Sequence, residues 1–127
     1  MVGIVIVSHS EKVAEGAKEL ALQMAKGAPI AAAGGMADGG IGTDVEKIAN
    51  AIQSVQSEDG VVILVDLGSA IMSSEMAIEM TGGNVRIVDG PIVEGAIVGA
   101  VESVIGSDLD AVTNAIRGAK TANKLSG

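Results

Sequence analysis

The sequence predicts an α/β fold: an open, mostly parallel central sheet of four or more strands, with helices on both faces. Three observations carry this. Apolar runs of strand length alternate with stretches whose apolar residues recur at helical spacing. The first run, Val2–Val7, is apolar throughout, as expected of a strand buried on both faces. The segments after the first three strand runs each lead straight into a helix start.

In order, Val2–Val7 is the first strand. Val13, Ala17, Leu20, Ala21 and Met24 then recur as the apolar face of a helix. Ala28–Ala33 is a weaker, alanine-rich strand, followed by a glycine loop, Gly34-Gly35-Met36-Ala37-Asp38-Gly39-Gly40-Ile41-Gly42. Thr43 and Glu46 have the spacing of a capping box, with Val45, Ile48, Ala49, Ile52 and Val55 as the buried face behind it. Val61–Val65 is the clearest buried strand, and a helix follows from about Ala70 to Met80. A fourth strand covers Val85–Val88. Pro91 suits the first position of the next helix, whose face is Ile92, Val93, Ala96, Ile97, Ala100, Val101 and Val104. Asp108 caps a last helix through Leu109, Val112 and Ile116, and the polar tail Thr121–Gly127 is expected to fray. No internal repeat or linker divides residues 1–127, so one domain is expected.

Composition narrows the function. Hydrophobic residues make up 48% of the 127, yet there is no Phe, Tyr or Trp, so the core must be aliphatic. A net charge of −8 repels phosphate backbones and anionic lipid, and no aromatic side chain can stack on a base. Nucleic-acid and membrane binding are therefore poor expectations. One histidine and no cysteine make a metal site improbable. The opening run lacks a basic n-region, and no apolar run nears the ~20 residues of a membrane span. The expected localisation is cytoplasmic.

Ligands of open α/β sheets bind beyond the carboxyl ends of the strands. Three unusual segments fall there: Ser8-His9-Ser10, the glycine loop, and Asp66-Leu67-Gly68-Ser69. Each opens a helix, whose free amides and dipole favour an anion. Ser10, Gly40, Gly42, Thr43, Gly68 and Ser69 are thus candidates for binding a phosphate or a partner. His9 is the one side chain whose ordinary pKa leaves much of it neutral and nucleophilic near pH 7, although it could simply start a loop. Asp66 ends an apolar strand, where a carboxylate needs a partner. It could orient the His9 ring, or merely cap the helix that follows. The glycine loop lacks the third glycine of a dinucleotide fingerprint and the lysine of a P-loop, but it could form a lid or docking edge. Ser73-Ser74 and the stripe Met72, Met76, Met80 read as a polar patch and as core or interface packing. Glu94 reads as a solvated first-turn carboxylate.

Four segments carry a resemblance: Ile4-Val5-Ile6-Val7-Ser8-His9-Ser10, Gly40-Ile41-Gly42-Thr43-Asp44, Asp66-Leu67-Gly68-Ser69-Ala70 and Pro91-Ile92-Val93-Glu94-Gly95. In order and spacing, from Met1 to about Ala119, they resemble the phosphotransfer subunits (DhaM) of bacterial dihydroxyacetone kinases, a branch of the mannose-type IIA family. The resemblance implies the mannose-type IIA fold, a phosphohistidine on His9, and Asp66 as the carboxylate beside it. It implies HPr as phosphoryl donor, charged by enzyme I from phosphoenolpyruvate. The acceptor it implies is ADP, with Mg, on a DhaL subunit that phosphorylates dihydroxyacetone bound to DhaK. No cofactor is then expected on this chain itself. Some relatives carry HPr-like and enzyme-I-like domains on the same chain; a chain of this length is expected to use a separate HPr. A homodimer is also implied. Two other readings stand beside it: a IIA domain of a mannose-family sugar transporter, and a non-covalent phosphate- or nucleotide-binding regulatory module.

Overall fold

Alternation along the strands builds two cores. Val2, Ile4 and Ile6 turn to one side of β1 (Gly3–Ser8) and Val5 and Val7 to the other, all completely buried. In β3 (Val61–Val65), Val62 and Leu64 join the first set, and Val61 and Ile63 the second. The computed structural model describes residues 1–125. Between the strands run α1 (Glu11–Met24), β2 (Ile30–Gly34), α2 (Val45–Val55), α3 (Ala70–Thr81), β4 (Val85–Ile87), α4 (Ile92–Val104) and α5 (Leu109–Gly118). The four strands are parallel in the order β2-β1-β3-β4. The first core is closed by α1, α4 and α5, the second by α2 and α3. The expected sheet with helices on both faces is what forms.

The order reverses between β1 and β3, since β1 connects outward to β2 and β3 outward to β4 on the other side. Val7 pairs with Val65, so the next residues of these two strands emerge side by side at the switch point. His9 and Asp66 are delivered there by register alone.

The helix faces differ from those the sequence suggests. On α1 the buried residues are Ala14, Ala17 and Ala21, whereas Val13, Leu20 and Met24 are 48, 49 and 66% exposed. The reason is close approach. A Cβ on Gly34, at the end of β2, would lie 2.5 Å from the Ser10 carbonyl oxygen and 2.8 Å from the Ala14 Cβ, so only small residues fit under α1. The same holds for α4, which buries Gly95, Ala96, Gly99, Ala100 and Ser103 and leaves Val93 and Val101 exposed. Gly95 and Gly99 lie under Ile116, where a Cβ would meet its side chain at 3.4 and 3.0 Å. Without aromatic residues the layers sit close, and alanine and glycine supply the contact surface.

Several boundaries also move. Asp44, not Thr43, caps α2: its carboxylate accepts from the Glu46 and Lys47 amides at 2.9 and 3.3 Å. Pro91 is extended (φ −69°, ψ 142°) and precedes the first helical residue, Ile92. Gly34 belongs to β2 rather than to the loop. Asp108 caps α5 as expected, through the Ala111 amide at 2.8 Å. In the tail expected to fray, Lys124 pairs with Glu94, which is therefore paired rather than simply solvated; Lys120, just before the tail, pairs with Asp89. Ser126 and Gly127 lie outside the described residues. Among the described residues, no helix is long and apolar enough to cross a membrane.

Candidate functional site

The site is built around one carboxylate. Asp66 leaves β3 with its amide bonded to the Val7 carbonyl at 3.1 Å, which turns its side chain toward the end of β1. Its Oδ1 accepts from His9 Nδ1 at 3.0 Å and from the Leu67 amide at 2.8 Å. Its Oδ2 accepts from the His9 amide and from the Ser8 hydroxyl, both at 2.9 Å. Burial alone would raise this carboxyl's pKa. The accepted hydrogen bonds, from the His9 amide, the His9 ring and Ser8, outweigh that and hold it below the usual carboxylate range. Asp66 does not cap α3; it organises His9.

A carboxylate can only accept, so Nδ1 of a neutral His9 ring carries the proton and Nε2 keeps its lone pair. Nε2 meets the Ser69 hydroxyl at 2.9 Å. Ser69 is the cap residue of α3 but makes no side-chain cap bond, because its hydroxyl is turned to the ring instead. His9 and Asp66 side chains are 23 and 20% exposed, and Leu67, Gly68 and Ser69 are exposed above them. The ring is held from one side and open on the other.

The other candidates divide. Ser10 caps α1, its hydroxyl accepting from the Val13 amide at 3.3 Å, so that group is already committed. Gly42 donates its amide to the His9 carbonyl at 2.9 Å. Its φ of +146° and the Met36 side chain, 2.7 Å from where a Cβ would stand, leave room only for glycine. Thr43 shares a hydrogen bond with Ser73 at 2.8 Å, which ties the loop end to α3 rather than directing the hydroxyl to the ring. Gly40 stays within the loop: its amide bonds Asp38 and its carbonyl accepts from Met36. An opening of about 390 Å³ lies between loop and helix, lined by Ser10, Glu11, Lys12, Gly39 and Ile41.

Two residues, one at the site and one at the loop beside it, have no role assigned from sequence. Ser8 is completely buried, donates to Asp66 and accepts from the Ser10 amide at 3.0 Å. Its signal was a hydroxyl closing an apolar strand beside another strand that ends in a carboxylate. Lys47 reaches the base of the glycine loop and had no local signal. Among the described residues, no group of three or more histidine, cysteine, aspartate or glutamate side chains could hold a metal ion.

Comparison with known proteins gives one consistent result. A family profile described as "PTS system fructose IIA component" matches residues 3–113. The phosphoryl donor subunit DhaM of PEP-dependent dihydroxyacetone kinase 2 from Listeria innocua is 37% identical over 117 residues, covering 88% of this chain and 94% of that one. The DhaM subunit of Escherichia coli K12 is 42% identical over 120 residues, but the match covers 88% of this chain and only 25% of that longer protein. The chain therefore spans about a quarter of that relative. A crystal structure of a protein of unknown function superposes with a TM-score of 0.82 at 34% identity, covering 95% of this chain and 96% of the other.

Proposed function

The chain belongs to the IIA family of the phosphotransferase system, among the DhaM phosphoryl donor subunits of dihydroxyacetone kinases, and from this premise we propose that it is a phosphocarrier working through a phosphohistidine on His9. The observation that carries the reading is the position of the His9 ring, with Nδ1 fixed on Asp66 and Nε2 turned to the open side under Ser69.

That geometry supports Nε2 as the attacking nitrogen. Nε2 attacks the phosphorus of a phosphorylated histidine carrier of the HPr type. The Nε2–P bond forms as the donor's N–P bond breaks, and the donor imidazole leaves with the electron pair. His9 becomes a phosphorylated imidazolium, and the Asp66 carboxylate, below its usual pKa and so negative, balances that charge through Nδ1–H. The Ser69 hydroxyl, which meets Nε2 in the resting site, turns to donate to a phosphoryl oxygen. Gly68 and Ser69 head α3, whose dipole favours the same negative charge. Catalysis of this kind is mostly positioning and charge stabilisation.

The acceptor in this reading is ADP on a DhaL-type subunit, which then phosphorylates dihydroxyacetone held by a DhaK-type subunit. Nucleotide and magnesium belong to that acceptor, and this chain carries no cofactor of its own. In this reading the exchange takes place in the cytoplasm, between a homodimer of this chain and its phosphoryl donor and acceptor.

The test is incubation with enzyme I, HPr and phosphoenolpyruvate, followed by intact-mass measurement. One phosphoryl mass is expected, stable in base, lost in acid and absent in His9→Ala. A phosphoryl mass on the Ala variant overturns the assignment. Phosphoryl transfer to DhaL–ADP, generating ATP, marks the kinase branch. Transfer to a mannose-type IIB domain instead would mark a sugar transporter.

A further inference from the structure

Lys47 is a cation in an unfavourable place. It is the third residue of α2, at the positive end of a helix whose first amides are already served by Asp44. Its amine is occupied by the backbone. Nζ donates to the Gly34 carbonyl at 3.1 Å and the Met36 carbonyl at 3.0 Å, with Glu11 Oε2 at 3.7 Å. Those carbonyls bracket the sharp departure of the chain from β2, where Gly35 has a φ of +73° and donates to the Ser8 carbonyl at 3.1 Å.

The segment that Lys47 anchors has little stiffness of its own, with glycine at 34, 35, 39, 40 and 42. Its far end is fixed by Gly42 on the His9 carbonyl and by Thr43 on Ser73. Its near end is fixed by Lys47. Between them the crest presents Ile41, 75% exposed, and Gly39 across the opening from Ser10, Glu11 and Lys12. The Gly42 amide on the His9 carbonyl sets this rim beside the His9 segment, where a protein carrying a phosphorus atom would dock. Asp66 holds the His9 amide and ring, and the loop reaches His9 only through the Gly42 amide at its far end, so releasing the near end at Lys47 acts on docking rather than on the reacting nitrogen.

We infer that Lys47 is a positioning residue for partner docking, holding the glycine loop as a preformed rim beside His9. This rests on the phosphocarrier reading. With the loop preformed, a donor need not order it on arrival. Without Lys47, that ordering falls on each encounter, and KM rises while kcat stays.

The experiment compares wild type, Lys47→Met, Lys47→Gln and Lys47→Arg in steady-state phosphoryl uptake from phosphorylated HPr. Amide hydrogen exchange over residues 36–41 is measured in parallel. Lys47→Met is expected to raise KM roughly ten- to a hundredfold at unchanged kcat. Its loop amides should exchange faster by about tenfold or more, with the strands unaffected. Lys47→Arg, which still offers donors to two carbonyls, restores both readouts. Lys47→Gln shows the same effects in smaller measure and serves should Lys47→Met fail to fold. Wild-type KM and wild-type loop exchange in the Met variant would overturn the inference, as would a fall in kcat alone. If wild type itself takes up no phosphoryl group, the phosphocarrier reading has failed. The exchange arm then still decides whether Lys47 holds the loop.

Discussion

Asp66 is the residue on which the site turns, because one carboxylate receives the His9 ring, the His9 amide, Ser8 and the Leu67 amide. Asp66→Ala removes the group that fixes the tautomer and that, in the proposed phosphocarrier, balances the phosphoimidazolium. Phosphoryl uptake should slow by roughly 10²–10⁴-fold with the fold intact. A folded variant at the wild-type rate would reduce Asp66 to a structural strand end. The carboxylate also makes stability depend on pH. Its folded pKa lies below the unfolded value, so it contributes stability above the unfolded value and loses it as pH falls through the folded one. Urea midpoints from about pH 5 down to 2 should therefore fall more steeply for wild type than for Asp66→Asn. Parallel curves would contradict the depressed pKa. His9, Asp66 and Ser69 were legible in the sequence because each sits at or just past a strand end, in a segment that opens a helix. Ser8 stood in the same segment but without a role, because its hydroxyl gains meaning only from the register that sets β3 beside it.

Helix packing against this sheet rests on small residues, which gives two glycines of neighbouring elements opposite roles. Gly34, ending β2, would push a Cβ into the Ser10 carbonyl at 2.5 Å, a backbone atom that cannot turn aside. Gly34→Ala should cost about 1–3 kcal/mol, the range for overpacking a close contact. Gly16, inside α1, has nothing within 4 Å of its missing Cβ. Gly16→Ala should instead stabilise by roughly 0.5–1 kcal/mol, through helix propensity and the entropy of the unfolded chain. Urea unfolding of the two variants checks the pair, and equal signs would refute it. The same packing explains what could be read of the elements. Strand and helix order came from hydrophobic runs, and β3 matched residue for residue. The inward faces of α1 and α4 were misjudged because valine, leucine and methionine carry the hydrophobic signal, while close approach selects alanine and glycine. Threonine and glutamate at capping-box spacing point to Thr43 as the cap; Asp44, one residue on, presents the better acceptor and frees Thr43 to bridge to Ser73.

At the scale of the molecule, α3 leaves an apolar stripe in solvent. Met72, Met76 and Met80 follow one another at helical spacing and are 72, 52 and 60% exposed, with Ile71 at 40% and Leu67 at 59% near the helix start. Beside them the sheet ends at β4, a three-residue edge strand, and an opening of about 450 Å³ lined by Val65, Ile71, Ile87 and Val88, with Glu75 and Asp89, lies between. Adjacent exposed apolar side chains beside an unpaired strand edge mark an interface, and methionine adapts well to a mating surface. A second copy of the chain is the occupant we propose, packing α3 against α3. Light scattering at micromolar concentration should report twice the chain mass of 12.5 kDa. Met76→Glu, on a position already half in solvent, should yield a folded monomer that still accepts a phosphoryl group on His9. Charge sets the direction of the salt effect. Each copy carries −8, and Glu75 and Glu79 lie on the same helix as the stripe, so the copies repel at long range. Raising ionic strength from about 0.01 M to 0.15 M shortens the screening length from about 30 to 8 Å and should tighten the dimer. Tightening with salt together with loss of the dimer in Met76→Glu would place the contact on α3; a wild-type monomer at both ionic strengths would remove it.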